Sequence, residues 1–190
     1  MMNDLALLVA RVTLGASIAS HGAQKAFGWF DGSGPQNAGA YFETLGFKPG
    51  AQYAAAASYN EIAAGALIAL GAGGPLGPAG VLATMLVAAQ SVHAKNGFFA
   101  AKGGIELNVV YSAGALALAS TGYGALSLDR ALSLDEKLRH PILTTLAIAG
   151  GLAAAWTILA QRDFSPPPGT LATPTIAGNG ASPSPSPAAN

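Results

Sequence analysis

Long apolar stretches dominate this chain and alternate with short polar or turn-like breaks. Each stretch is close to the roughly 20 residues that an α-helix needs to cross a hydrocarbon core about 30 Å thick. None shows the polar stripe that a water-facing helix carries along one side. The pattern therefore predicts five membrane-crossing helices, over residues 5–27, 51–70, 76–94, 105–122 and 142–159.

Two further segments differ from these stretches. Residues 37–47 carry four aromatic or leucine side chains among small residues, and we interpret them either as a short helix at the membrane interface or as a plain loop. Residues 163–190 are rich in Pro, Ser, Thr, Gly and Ala. Such a composition buries too little apolar area to offset the entropy of ordering, so we expect a disordered tail.

The composition supports a bilayer environment. Hydrophobic residues make up 51% of the chain and charged residues only 9%, whereas a soluble domain carries about 25% charged residues. The 25 glycines suit close helix packing in lipid. Zero net charge gives no basic field for nucleic acid, and the lack of cysteine excludes thiol chemistry and disulfides within the chain.

The first stretch differs from a signal peptide. Because Asp4 precedes this stretch and Arg11 interrupts it, we expect a retained helix.

Ionisable residues inside apolar helices are costly and usually functional. The candidates in these stretches are Arg11, His21, Lys25, Glu61, His93 and Glu106. If short loops join the helices up and down, His21, Lys25, His93 and Glu106 lie near one membrane surface. Glu61 then lies about 15 Å deep at 1.5 Å per residue, while Arg11 lies nearer the other surface.

This arrangement predicts a polar pocket in one leaflet, but simpler interpretations stay open. Lys25 and Glu106 are close enough to helix ends to snorkel into water, and Arg11 could reach lipid phosphates. Glu61 is too deep for that, and it is either protonated, paired with His21, Lys25 or Arg11, or exposed to a water-filled cavity. A purely structural ion pair competes with a ligand or proton role.

The candidate residues do not form a recognisable cofactor motif. No pair of histidines has metal-ligand spacing, so no metal site is predicted. A haem held by His21 and His93 is an alternative that we favour less. There is also no phosphate loop, nucleophile elbow or dinucleotide fingerprint, since the glycine runs follow no strand.

Several short motifs resemble the DoxX family of small bacterial membrane proteins. They occur in order between about Arg11 and Leu132. They are His21-Gly-x-x-Lys25-x-Phe27-Gly28-Trp29-Phe30, then Glu61, Asn96-Gly97-Phe98-Phe99, Gly103-Gly104-x-Glu106, and Gly122-x-Gly124-x-x-Ser127-Leu128-Asp129.

The resemblance implies an all-α, membrane-embedded, antiparallel four-helix bundle, here over residues 1–132. A charged loop and a fifth transmembrane helix (133–162) and the tail (163–190) are additions to it. Relatives in the family include the small subunit of a thiosulfate:quinone oxidoreductase and a proposed membrane partner of superoxide dismutase and a sulfurtransferase. The resemblance thus implies a multi-pass protein of the bacterial inner membrane.

Two function classes follow from the pocket and the resemblance together. In the first, the protein is a subunit or anchor of a quinone-linked redox complex, with soluble redox proteins as partners and a quinone in the pocket. In the second, it is a non-enzymatic carrier or chaperone for a lipid-like molecule, or a purely structural anchor.

The orientation in the membrane is a separate question. Basic residues are too evenly divided between the two surfaces to fix it. The charged loop at 129–140 favours a cytoplasmic N-terminus with an external tail.

Overall fold

The computed structural model describes residues 2–165, which contain helices and no strand. The prediction of an all-α protein is therefore confirmed. In chain order the α-helices are α1 (Met2–Phe27), α2 (Gly34–Thr44), α3 (Gly50–Leu70), α4 (Leu76–Ala88), α5 (Glu106–Thr121), α6 (Leu128–Ala131), α7 (Asp135–Leu138) and α8 (Pro141–Ala160). A π-helical turn (Ala89–His93) and a 3₁₀ turn (Ala94–Asn96) extend α4, and a second 3₁₀ turn (Ala100–Lys102) precedes α5.

The five predicted stretches coincide with the five long helical segments. The interfacial segment is a helix and not a loop, and as α2 it begins at Gly34, earlier than predicted. Pro35 in its first turn explains that start, because proline fits the first helical turn, where no N–H is needed. Most of the predicted tail, beyond residue 165, lies outside the described residues.

Within residues 2–165, three helical segments are long and apolar enough to cross a membrane: Asn3–Phe27, Leu76–Asn96 and Pro141–Ala160. α5 falls short because it has 16 residues, and α3 carries the polar residues Gln52, Asn60 and Glu61. The outward side of α8 strengthens the assignment, since Ile142, Leu146 and Trp156 are each at least 65% exposed. Such a surface is stable in lipid and not in water. The chain is a membrane protein.

α1 and α3 form the most extensive helix pair, and they run antiparallel. Their backbones approach closely because glycines face each other. A side chain on Gly15 would overlap the backbone of Gly65 and Ala69, and a side chain on Gly65 would overlap that of Gly15 and Ala19. Lipid provides no hydrophobic driving force between helices. Small residues at such crossings therefore stabilise the pair through close van der Waals packing.

The remaining helices build outward from this pair. α4 contacts α3, α5 and α8, while α5 also touches α1 and α2 lies against α3. The buried core lies between α1, α3, α4 and α5, with Ile18, Ile68, Val81, Met85 and Ala115 among its members. α8 packs mainly on α4, where Gly151 lies against the backbone of Ala79.

Candidate functional site

Lys25 and Glu61 form an ion pair between α1 and α3. The Lys25 Nζ lies 2.5 Å from Glu61 Oε2 and also donates to the backbone carbonyl of His21 at 2.8 Å. The two side chains meet because the helices run antiparallel and Gly22 of α1 lies directly against Ser58 of α3. Glu61 is only 6% exposed. A buried carboxylate needs such a partner, since an unpaired charge in this environment would be costly.

The ion pair lies at the wall of a cavity of about 540 Å³, which we call the inter-helix cavity. α2, α3, α4 with its π-helical turn, and α8 contribute its walls. Its polar lining residues are Lys25, Asn60, Glu61, Thr84, Ser91 and His93. Its aromatic lining residues are Tyr41, Phe42, Phe47 and Tyr53. The rest of the lining is aliphatic, so the cavity combines a few polar groups with an apolar body, as small-molecule sites do.

His93 ends the π-helical turn that follows α4. A π-helical turn inserts an extra residue into the helix and is often found at functional positions. The His93 Nδ1 lies 2.7 Å from the carbonyl oxygen of Gly103, which also accepts a hydrogen bond from the Asn96 side chain at 3.1 Å. These bonds hold the imidazole between the end of α4 and the loop before α5.

A polar link between α3 and α4 forms another part of the wall. The Asn60 side-chain amide donates to the carbonyl of Gly80 at 3.0 Å and to the hydroxyl of Thr84 at 2.8 Å. This link fixes α4 next to the residue that precedes Glu61. It leaves the Thr84 hydroxyl proton free to donate, because the bond to Asn60 uses the oxygen as acceptor.

His21 and Glu106 lie close to this region but are not among the described residues that line the cavity. The His21 ring contacts Tyr111 edge-on, with ring centres 6.2 Å apart, and its Nδ1 lies 3.3 Å from the Gln24 side chain. Glu106 begins α5 and accepts a hydrogen bond from the Ala100 N–H at 2.8 Å. Glu106 therefore orders the loop that carries Gly103.

Arg11 lies at the other end of the helices, as its position in α1 predicts, and it does not line the inter-helix cavity. Its guanidinium donates to the carbonyl oxygens of Ala69 and Leu126. Ala69 is in the last turn of α3, where carbonyl groups lack helical partners and a positive charge is favourable. Arg11 thus joins α3 to the segment after α5.

The family comparison covers the helices that carry the ion pair. Residues 6–94 match the family model described as DoxX. These residues are similar to the DoxX family. The resemblance noted in the sequence is therefore confirmed for α1 to the π-helical turn, a region that includes Lys25, Glu61 and His93. The motifs from Asn96 to Asp129 lie beyond the match. No curated protein and no solved structure matches the chain.

Sequence reasoning missed a buried polar cluster at the Arg11 end. The carboxylate of Asp129 accepts hydrogen bonds from the N–H groups of Gly73 at 2.9 Å and Gly74 at 2.8 Å, and Asp129 is 4% exposed. The Tyr123 hydroxyl donates to the Gly74 carbonyl at 2.7 Å, and burial raises the pKa of Tyr123 above its ordinary value. The cluster joins the α3–α4 turn to the segment after α5.

Sequence reasoning also missed Asn60, Thr84 and Ser91 as lining residues. One signal was present: Thr84 and Ser91 are seven residues apart in the third apolar stretch, and this spacing places them on one side of a helix. Within residues 2–165, no three His, Asp or Glu side chains cluster as a metal site would require. Only one of the two histidines considered for haem, His93, lines the cavity. The lining of the inter-helix cavity therefore offers hydrogen-bonding and proton-carrying groups beside apolar side chains.

Proposed function

We propose that this DoxX-domain protein is a multi-pass protein of the bacterial inner membrane. In this proposal α1, α3, α4 and α5 form an antiparallel four-helix core within residues 1–132, and the segment 133–162 adds α8 as a fifth crossing before the tail at 163–190. The contacts of α1 with α3 and α5, and of α4 with the same two helices, support the four-helix core. The exposed apolar side of α8 supports the fifth crossing.

We further propose that the protein is a subunit or anchor of a quinone-linked redox complex. The observation that carries this proposal is the Lys25–Glu61 pair, which borders a 540 Å³ cavity among apolar helices. Lys25 can donate a hydrogen bond to a ring carbonyl, and Glu61 can carry a proton to or from it. The aromatic side chains of α2 and α3 provide faces on which a ring can stack. Electrons would come from soluble partner proteins.

Quinone binding to the protein in lipid nanodiscs tests this role. We expect short-chain ubiquinone or menaquinone to raise the thermal midpoint of the wild-type protein. A double variant, Lys25→Met with Glu61→Gln, should bind at least about tenfold more weakly. Changing both residues avoids leaving one buried charge without its partner. Glu136→Gln is the matched control because Glu136 is exposed at the opposite end. If neither quinone shifts the wild-type midpoint, the quinone role is wrong.

The apolar lining of the cavity favours a second candidate, a carrier for a lipid-like molecule. The two functions differ in what Glu61→Gln should do. A redox subunit should keep its partner proteins in pull-downs but lose electron transfer to quinone. A carrier should lose ligand uptake in lipid extracts of the purified protein, with no change in any redox activity. A purely structural anchor should show neither loss.

A further inference from the structure

We propose that the inter-helix cavity binds the reduced, hydroxyl-bearing form of a ring head group in preference to the oxidised form, and that His93 accepts the hydroxyl hydrogen bond through Nε2. This inference rests on the proposed function, and it narrows the ligand class from quinones in general to quinols. The observation that supports it is the hydrogen bond between His93 Nδ1 and the Gly103 carbonyl oxygen, at 2.7 Å.

That bond decides which ring nitrogen carries the proton. A backbone carbonyl oxygen can only accept, so Nδ1 of His93 must be the donor. In the neutral imidazole, Nε2 then has only a lone pair. Nε2 has no hydrogen-bond partner within the part of the chain that the structure describes. Because His93 lines the cavity, Nε2 is the ring nitrogen left to meet a ligand.

The loop around Gly103 keeps the ring in this orientation. Gly103 has a φ of +74°, which favours glycine, and its carbonyl also takes the Asn96 amide. The loop is closed by backbone bonds from Ile105 to Gly97 and from Glu106 to Phe98, at 3.0 and 2.8 Å. Rotating the imidazole by half a turn would replace the Nδ1 proton with a carbon and lose the bond to Gly103. His93 is therefore a fixed acceptor.

The cavity matches a quinol better than a quinone for this reason. A quinone oxygen only accepts, so it would leave His93 Nε2 unpaired at that end of the cavity, and an unmade buried hydrogen bond costs affinity. A quinol can donate from a hydroxyl to Nε2, and its hydroxyl oxygens can still accept from Lys25, because the bonds to Glu61 and to the His21 carbonyl use two of the three Lys25 N–H groups. Glu61 adds a further acceptor on the same cavity wall.

The test measures the affinity of a decyl-chain benzoquinone and of its quinol for the wild-type protein in nanodiscs, under anaerobic conditions. We expect the quinol to bind at least about tenfold more tightly. His93→Asn should remove this preference, because asparagine can place an N–H where Nδ1 lies but has no group at Nε2. His140→Asn, at an exposed position before α8, is the matched control and should keep the preference.

The outcomes separate this inference from the proposed function. Equal or tighter binding of the quinone by the wild-type protein overturns the inference and leaves the quinone-linked role standing. A preference that persists in His93→Asn overturns the assignment to His93. If neither form binds, the proposed function fails and this inference fails with it. The wild-type ratio is decisive even if His93→Asn does not fold.

Discussion

Arg11 has the least exposed charged side chain of the described residues, at 2%. Two of its nitrogens donate to carbonyl oxygens, of Ala69 and Leu126, while its Nε has no partner. No carboxylate pairs with it in residues 2–165. The dipole of α3 supplies the compensating negative charge, since the carbonyl end of a helix attracts cations. Arg11 is therefore a structural link between two segments that are far apart in the chain.

Replacing Arg11 with Met should destabilise the protein by about 2–4 kcal/mol, because two carbonyl oxygens lose charge-assisted hydrogen bonds. Arg11→Lys should recover little of this loss, since one ammonium group cannot span both carbonyls as the planar guanidinium does. The measurement is the free energy of unfolding in detergent micelles. Arg130→Lys is the control, because the Arg130–Asp135 pair is exposed and worth at most about 1 kcal/mol. Equal losses for Arg11→Met and Arg130→Lys would contradict the role of Arg11.

Sequence reasoning located the candidate residues by depth but not by partner. Helix spacing and antiparallel threading left His21, Lys25 and Arg11 open as partners of Glu61, and the structure pairs it with Lys25. They gave no partner for Glu106, which accepts a hydrogen bond from the Ala100 N–H of the loop before α5. They also failed for Arg11, whose partner Leu126 lies 115 residues away in irregular chain. Loop geometry leaves no periodic pattern in a sequence.

At the scale of elements, glycines decide how closely α1 and α3 approach. Gly15, Gly22 and Gly65 each leave no room for a side chain against the opposite helix. That close approach brings Lys25 within reach of Glu61, since both are on facing sides of the pair. Separation of the helices would weaken the ion pair as well as the packing. The composition predicted close packing, but only the structure identifies which glycines provide it.

Gly65→Ala should destabilise the protein by about 1–3 kcal/mol, because the added methyl group overlaps the backbone of α1. Gly150→Ala makes the same change in α8, at a position with no atoms within 4 Å of the new methyl group. That control should be neutral or slightly stabilising, as alanine favours helix over glycine by up to about 1 kcal/mol. Thermal midpoints of both variants in the same detergent check this. Equal midpoints would show that the α1–α3 contact is looser than described.

The residues after α8, 161–165, form a second link, which we call the C-terminal strap. Arg162 donates from Nε to the Leu45 carbonyl at 2.7 Å, and its guanidinium lies over the rings of Phe47 and Phe164. Gln161 accepts from the Tyr53 hydroxyl at 2.6 Å. Leu45, Phe47 and Tyr53 all line the inter-helix cavity. The strap therefore holds one end of that cavity in place.

Arg162→Gln should loosen the α2–α3 connection, because it removes the cation above Phe47 and the bond to Leu45. We expect amide hydrogen exchange in residues 45–48 to become at least about tenfold faster. This change corresponds to a loss of about 1.4 kcal/mol in the free energy of local opening. Exchange in the core of α4 should not change. Lys137→Gln, exposed at the opposite end of the helices, is the control. Unchanged exchange at 45–48 would mean that the strap does not support the cavity.

At the scale of the whole molecule, the contacts define two ends. Lys25, the start of α3, the His93 turn, the start of α5 and the C-terminal strap lie at one end. Arg11, the α3–α4 turn, Asp129 and the short helices α6 and α7 lie at the other. The alternation of long apolar stretches with short breaks predicted this arrangement, because successive helices reverse direction between the two ends. The individual contacts that close each end were not predictable, since they depend on irregular segments meeting in space.

This division predicts which positions face the same side of the membrane. The chain has no cysteine, so single cysteines can be introduced and labelled with a membrane-impermeant maleimide in sealed vesicles. Lys102→Cys, before α5, and Asp163→Cys, whose N–H binds the Gly46 carbonyl, should react from one side. Glu136→Cys, in α7, should react only from the other, because α8 begins at that end and ends beside Gly46. Labelling of all three from one side would mean that α8 does not cross the bilayer, and the proposed fifth crossing would be wrong.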